Sequence, residues 1–159
     1  MTQVTLTRDQ RRAQHALQSV KQVQALVQER ITRAGSNEQE QRKASKFRDE
    51  YKSYAESLPA SIVMNGLGQA CAMLLAQAKG RSGKEDAHRL LYDHLQDWLR
   101  GREHAAVYPK DQDLVEAVIN HGQRAYIQAQ VESLAYLNWL KKFAQAYLMG
   151  EESRNAEPE

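Results

Sequence analysis

From Ser57 to Ala78 the chain reads SLPASIVMNGLGQACAMLLAQA, without one charged residue. Glu56 stands before it and Lys79 after it, and no other stretch runs so long uncharged. In a chain that is 26% charged, this segment belongs inside something. A membrane span of that length is excluded by Pro59, Ser61, Asn65, Gln69 and Gln77, and by flanks of mixed sign. Asn65-Gly66 could turn a β-hairpin, but no second alternating segment exists to pair with. A helix remains. Proline suits a first turn and disfavours helical geometry in the residue before it, so a break is expected near Leu58, with a helix starting at Pro59 or Ala60. Gly68, Ala72 and Ala76 then fall four apart, forming a small-residue groove for a neighbouring backbone. Val63, Leu67, Ala70, Cys71, Leu74 and Ala78 form the larger apolar face. The spacing predicts a helix apolar nearly all round and buried.

The rest of the chain is rich in Ala, Gln, Leu, Glu, Lys and Arg, which favour helices, and poor in β-branched and aromatic residues. With 159 residues it can bury a core without disulfides or metal. Thr7 and Gln10 have the spacing of a capping box. Ala13, Ala16, Leu17, Val20, Val23, Val27 and Ile31 then recur at three- and four-residue steps, marking a helix of roughly 25 residues. Gly35-Ser36-Asn37 stops it and caps a second helix, expected to run to Glu56. That helix has few apolar residues (Ala44, Phe47, Tyr51, Tyr54 and Ala55) and is expected on the outside. Gly80 to Gly83 is a break. A fourth helix is expected from Lys84 to Arg100, with Gly101 ending it and an extended connector from Arg102 to Lys110. A fifth, capped by Asp111 or Asp113, packs through Leu114, Val115, Val118 and Ile119. The last, Gln123 to Met149, carries Ile127, Val131, Leu134, Leu137, Leu140, Ala144 and Leu148. The expected fold is all-α: a single-domain bundle of five or six helices over residues 7–149, no sheet, with residues 1–6 and 150–159 as flexible ends. The closing segment from Glu151 is acidic and polar, the composition of a disordered stretch.

Known chemistries find no assembly here. Cys71 is the sole cysteine, which removes internal disulfides and Cys-rich zinc sites and fits a reducing, cytoplasmic setting. The first residues lack the apolar segment of a signal peptide. Glu85 and His88 make one Glu-x-x-His unit, but a di-metal bundle needs two such units and further inward carboxylates. His15 and His121 stand alone and read as ordinary, partly buried side chains. No serine lies in a nucleophile elbow, and Gly66-Leu67-Gly68 lacks the rest of a phosphate-cradling loop. The reading is therefore no enzyme, no metal and no cofactor.

Charge is uneven. The net is +2, with +4 in residues 1–57 and −3 in residues 110–159. A mildly basic front half permits contact with phosphates without requiring it. The candidates for such contact are Arg11 and Arg12 at the start of helix one, Arg42, Lys43, Lys46 and Lys52 on helix two, and Lys141 and Lys142 beside Trp139 and Phe143. Their functional reading is a sequence-independent, salt-sensitive grip on a sugar-phosphate backbone. The bland reading is a solvated charged face.

Several landmarks occur in order. Asp9-Gln10-Arg11-Arg12-Ala13 leads helix one. YKSYAESLP follows from Tyr51 to Pro59, then Ile62-Val63-Met64-Asn65-Gly66-Leu67. Near the end, Leu134 to Ala146 reads LAYLNWLKKFAQA. Over about residues 8–148 this pattern resembles the small, all-helical subunit of the type III-B (RAMP-module, Cmr) CRISPR effector complex. The resemblance implies a non-catalytic building block for antiviral defence. Such a subunit stacks with copies of itself along larger subunits and helps hold the duplex of guide RNA and target RNA, while other subunits cleave. A surface that is one among many can be only mildly basic, because avidity supplies the rest. The alternative from another class is a generic helical protein–protein adaptor without a nucleic-acid role. The Gln-rich face of helix one and the Tyr51/Tyr54 seam would then be partner surfaces.

Overall fold

The computed structural model describes residues 3–100 and 106–150. Among them it has six helices and no strand: α1 (Arg8–Ala34), α2 (Glu38–Asn65), α3 (Leu67–Ala78), α4 (Ala87–Leu99), α5 (Leu114–Asn120) and α6 (Gln123–Tyr147). The all-α expectation holds. The helix-ending Gly101 and the start of the connector after it lie outside the described residues, as do most of the expected flexible ends.

α1 begins as its sequence dictates. Thr7 Oγ1 accepts from the Gln10 N–H at 3.1 Å, and the Thr7 N–H donates to Gln10 Oε1 at 2.8 Å, so both halves of the capping box form. Gly35, at φ +56°, ends the helix, and the Asn37 side chain accepts from the N–H groups of Gln39 and Glu40 to start α2.

The break at Leu58 does not occur. α2 continues through Pro59 for 28 residues, and the chain turns at Gly66. Pro59 has no N–H for the Ala55 carbonyl, and an interior proline costs roughly 3 kcal/mol. What overrides it is the seam. Ala44, Phe47, Tyr51, Ala55, Leu58 and Ile62 recur at three- and four-residue steps, and all are buried. Leu58 and Ile62 each contribute about 1.5–3 kcal/mol by burial, which offsets the missing bond. The seam also corrects the placement of this helix. α2 is no outer element: it packs on α1, α3, α4 and α6, and only its charged face meets solvent.

Gly66 makes the α2–α3 corner with φ +85°, and a Cβ there would lie 2.6 Å from Tyr126 Oη. α3 has no side-chain cap of its own. Its first N–H groups are met from α6: Leu67 donates to Gln130 Oε1 (3.2 Å) and Gly68 to Tyr126 Oη (3.4 Å). α3 is buried only along Leu67, Ala70, Cys71, Leu74 and Ala78. Ala72 and Ala76 face solvent, so only the Gly68 end of the expected groove meets neighbouring helices, at Val118 of α5 and Tyr126 of α6. Val63 is 69% exposed, and Ile119, Ile127 and Val131 are likewise out, contrary to their expected core positions. Met64 is exposed beside Val63. The inner face of α6 is instead Ala129, Glu132, Ser133, Tyr136, Leu137, Leu140 and Ala144.

α4 starts three residues later than its composition suggests, because Asp86 Oδ1 accepts from the Arg89 N–H at 3.0 Å and sets the cap. α5 begins after Asp113, but its exposed N–H groups bond to α4. Leu114 donates to Gln96 Oε1 (2.9 Å) and Val115 to Tyr92 Oη (3.0 Å).

Candidate nucleic-acid interface

The molecule carries two kinds of polar surface, one knitted inward and one turned outward. The inward one joins α1, α4 and α6. Arg12 forks onto Glu132, Nε to Oε1 at 2.7 Å and Nη2 to Oε2 at 2.8 Å. Trp98 Nε1 also donates to Glu132, at 3.1 Å. Burial pushes the Glu132 carboxyl up, but the hydrogen bonds and charge of Arg12 outweigh it and hold the carboxyl below its ordinary value. Removing either partner would strand the other, so this pair fixes register between α1 and α6.

Next along the seam, His15 Nδ1 lies 2.7 Å from Tyr136 Oη and its Nε2 lies 2.6 Å from Asp97 Oδ2. The chemistry of the partners assigns the protons: a carboxylate only accepts, so Nε2 carries the proton and Nδ1 accepts from the tyrosine hydroxyl. Ser19 Oγ, 3.2 Å from Tyr136 Oη, completes the relay. Ser19, His15 and Asp97 superficially copy a hydrolytic triad. However, Ser19 sits mid-helix, is 4% exposed and lies 3.4 Å from a nitrogen already taken by Tyr136. A second relay runs from Tyr51 Oη to His94 Nδ1 (2.6 Å) and from His94 Nε2 to Gln22 Oε1 (2.6 Å). Burial, the largest cause, pulls the His94 ring down to about 3, so it is neutral. The ring of Tyr51 is wholly buried, which pushes its hydroxyl well above the ordinary value.

These contacts decide the fate of the sequence candidates. Arg12 is committed to Glu132 and, at 3.3 Å, to Asp9. Arg11 is partly buried one residue earlier. Arg42, Lys43 and Lys46 are exposed on α2, with Lys52 half-buried on the same helix. Lys43 meets Glu40 at 3.0 Å and Lys46 meets Glu50 at 3.6 Å, both solvent-exposed pairs of little strength. Among the described residues, no carboxylate lies within 4.0 Å of Arg42 or Lys52. The structure brings Arg42, Lys46 and Lys52 together with Arg48 along one groove on the outer side of α2, but Glu38, Asp49, Glu50 and Glu56 line the same groove, so its charge is balanced. Lys141 and Lys142 stand apart on α6. Trp139 and Phe143 beside them stack at 5.6 Å, and the indole N–H of Trp139 donates to Asp9 at 3.0 Å. The two His–Tyr relays escaped the sequence reading because their partners lie 43 to 121 residues apart. One signal was present: Glu132 and Ser133 fall in phase with the apolar positions of α6.

Cys71 is buried among apolar side chains, and burial pushes its thiol up to about 12, which leaves it inert. Among the described residues no group of three or more His, Cys, Asp or Glu could hold a metal ion, and no helix is long and apolar enough to cross a membrane.

The described residues form an all-helical bundle with paired polar contacts inside and a groove of mixed charge along the outer side of α2. Residues 8–147 match the family model described as CRISPR-associated protein (Cas_Cmr5), and the chain belongs to that family. The crystal structure of a CRISPR-associated Cmr5 family protein from Thermus thermophilus is similar to it, with 28% identity and a TM-score of 0.57 over 89% of this chain and 97% of that one.

Proposed function

We propose that this protein is the non-catalytic small subunit of a type III-B CRISPR effector complex. In this reading it stacks with copies of itself beside the larger subunits in the cytoplasm. There it lends the outer face of α2 to the guide RNA and target RNA of antiviral defence. The observation that carries the proposal is the family match over residues 8–147, joined to the exposure of Arg42, Lys43 and Lys46 on α2. Phosphate contact of this kind is sequence-independent and weakens with salt, and many modest surfaces in series make up for the weakness of one. The exposed apolar residues Val63, Met64, Ile127 and Val131 supply the contact area that stacking needs.

The test is reconstitution of the complex with R42E/K46E and, separately, with K141E/K142E, reading retention of target RNA against salt. Loss of RNA with intact helicity and assembly supports the reading for that face. Normal retention by both variants removes RNA contact from both faces. The apolar patch would serve equally well in an adaptor without nucleic acid, and the presence or absence of guide RNA in the native complex separates the two.

A further inference from the structure

α1 and α6 together leave a strip of surface that uses none of the residues of the α2 groove. The two helices run in the same direction, and the bonds from His15 to Tyr136 and from Gln24 to Tyr147 set their register, at offsets of 121 and 123 residues. Gln24 follows His15 by about two and a half turns, so it points away from α4, which His15 meets at Asp97. On that side α6 sets three aromatic rings in a row. Trp139 and Phe143 stack with centroids 5.6 Å apart, and Tyr147 follows Phe143 at 6.3 Å. Trp139 and Phe143 are half-buried, Tyr147 is 44% exposed, and Asp9 holds the Trp139 indole N–H at 3.0 Å. The register brings Lys21 of α1 level with Lys142 and Phe143, which puts one exposed ammonium on each side of the row.

Carboxylates are scarce along this strip. α1 has none from Gln10 to Gln28, and α6 has none from Ser133 to Tyr147. The acids that bound those runs are engaged, Asp9 and Glu132 by Arg12 and Glu29 by Arg33. Among the described residues no carboxylate lies within 4.0 Å of Lys21 or Lys142. The α2 groove, by contrast, sets Glu38, Asp49, Glu50 and Glu56 against its cations.

We propose that this strip binds single-stranded RNA, with unpaired bases stacking on Trp139, Phe143 and Tyr147 while Lys21 and Lys142 hold the sugar-phosphate backbone. Every base has a π-face, so such a platform works without regard to sequence. A duplex keeps its base faces inside, so the rings select unpaired nucleotides. From Trp139 to Tyr147 the row is about 12 Å long, which accommodates roughly two or three bases. Its ring spacing exceeds the roughly 3.4 Å rise of a stacked strand, so the bound strand is splayed open.

The strip and the outer face of α2 share only RNA as ligand, and the experiment lets each fail alone. The full-length protein is titrated at low salt with a short fluorescein-labelled oligouridine and with an abasic ribose-phosphate strand of equal length. The oligouridine is expected to bind about fivefold or more tightly than the abasic strand. Tyr147→Leu, at an exposed site that spares the fold, should weaken the oligouridine about fivefold and leave the abasic strand unchanged, whereas Tyr147→Trp should restore or tighten it. K21Q/K142Q should weaken both strands and lower the slope of log K against log salt by about 1.4. Absence of oligouridine binding overturns the proposal and leaves the strip as a protein contact. Equal binding of the two strands, or a Tyr147→Leu protein that binds as the wild type does, overturns the stacking. R42E/K46E keeps every residue of the strip and is expected to keep the preference for oligouridine, whatever it does to RNA retention in the complex. Loss of that preference in R42E/K46E would put the bases on α2 and overturn the strip as their site.

Discussion

α2 and α3 are consecutive helices that reverse the usual expectation. α3 carries no charged residue, yet Ala72, Met73 and Ala76 face solvent. α2 is crowded with Lys, Arg, Asp and Glu and contains a proline, yet it packs against four other helices. The difference lies in phase. α2 keeps its few apolar residues on one line for about five turns, from Ala44 to Ile62, whereas the apolar residues of α3 are spread around its circumference with only one side met by neighbours. Position on the seam, more than the overall apolar content of a helix, decides what is inside.

The most direct challenge to this contrast uses two adjacent residues of similar chemistry. Ile62 is fully buried and Val63 is mostly exposed. Ile62→Ala is expected to cost about 2–5 kcal/mol, and Val63→Ala less than about 0.5 kcal/mol, in urea unfolding midpoints. Equal losses would mean that the seam does not control stability. Gly66, at the corner between the two helices, comes next. Gly66→Ala meets a positive φ and the Tyr126 hydroxyl, for an expected loss of about 2–4 kcal/mol. Adding Tyr126→Phe should recover part of that loss by opening space, although it also removes an acceptor for the Gly68 N–H.

How much of this was legible beforehand depends on how far apart the interacting groups are. The α1 cap, the Gly35 stop and the Asn37 cap are local, and they read correctly from the residues. The boundary at Leu58 did not. A local rule about proline competed with a seam whose value depends on α1, α4 and α6, and the seam won. Val63, Ile119, Ile127 and Val131 were expected inside because hydropathy does not say which side of a helix finds a neighbour. In the candidate interface, Arg42 and Lys46 are outward as their spacing suggests. Arg12 is not available in the same way, because Glu132 lies 120 residues away in sequence.

Acid probes the same contrast through a polar partner of α2. The His94 ring is held neutral, with its value pulled from 6.5 to about 3, so folding disfavours its proton. Its stabilising contribution is therefore complete above about pH 6.5 and is lost as pH falls toward 3. By pH 5 the loss is about 2 kcal/mol, at 1.36 kcal/mol per unit. His94→Gln should flatten that part of a stability–pH curve, and an unchanged curve would show that another group governs acid unfolding. A change of opposite sign is expected at Pro59. Proline to alanine returns an N–H to the Ala55 carbonyl but frees the unfolded chain, for a net gain of about 1 kcal/mol in the midpoint. A loss there would mean that the pyrrolidine ring itself packs productively.

The ion pair between Arg12 and Glu132 also has a consequence in time. It bridges the first helix and the last, which run side by side in the same direction, as the His15–Tyr136 and Gln24–Tyr147 bonds confirm. A ribosome adding about 5–20 residues each second needs on the order of ten seconds between these two helices. Through that interval α1 can close on α2 and then on α4, leaving its α6 flank exposed. The bundle cannot lock until its final helix arrives, and a chain cut short before α6 should be the species that chaperones see.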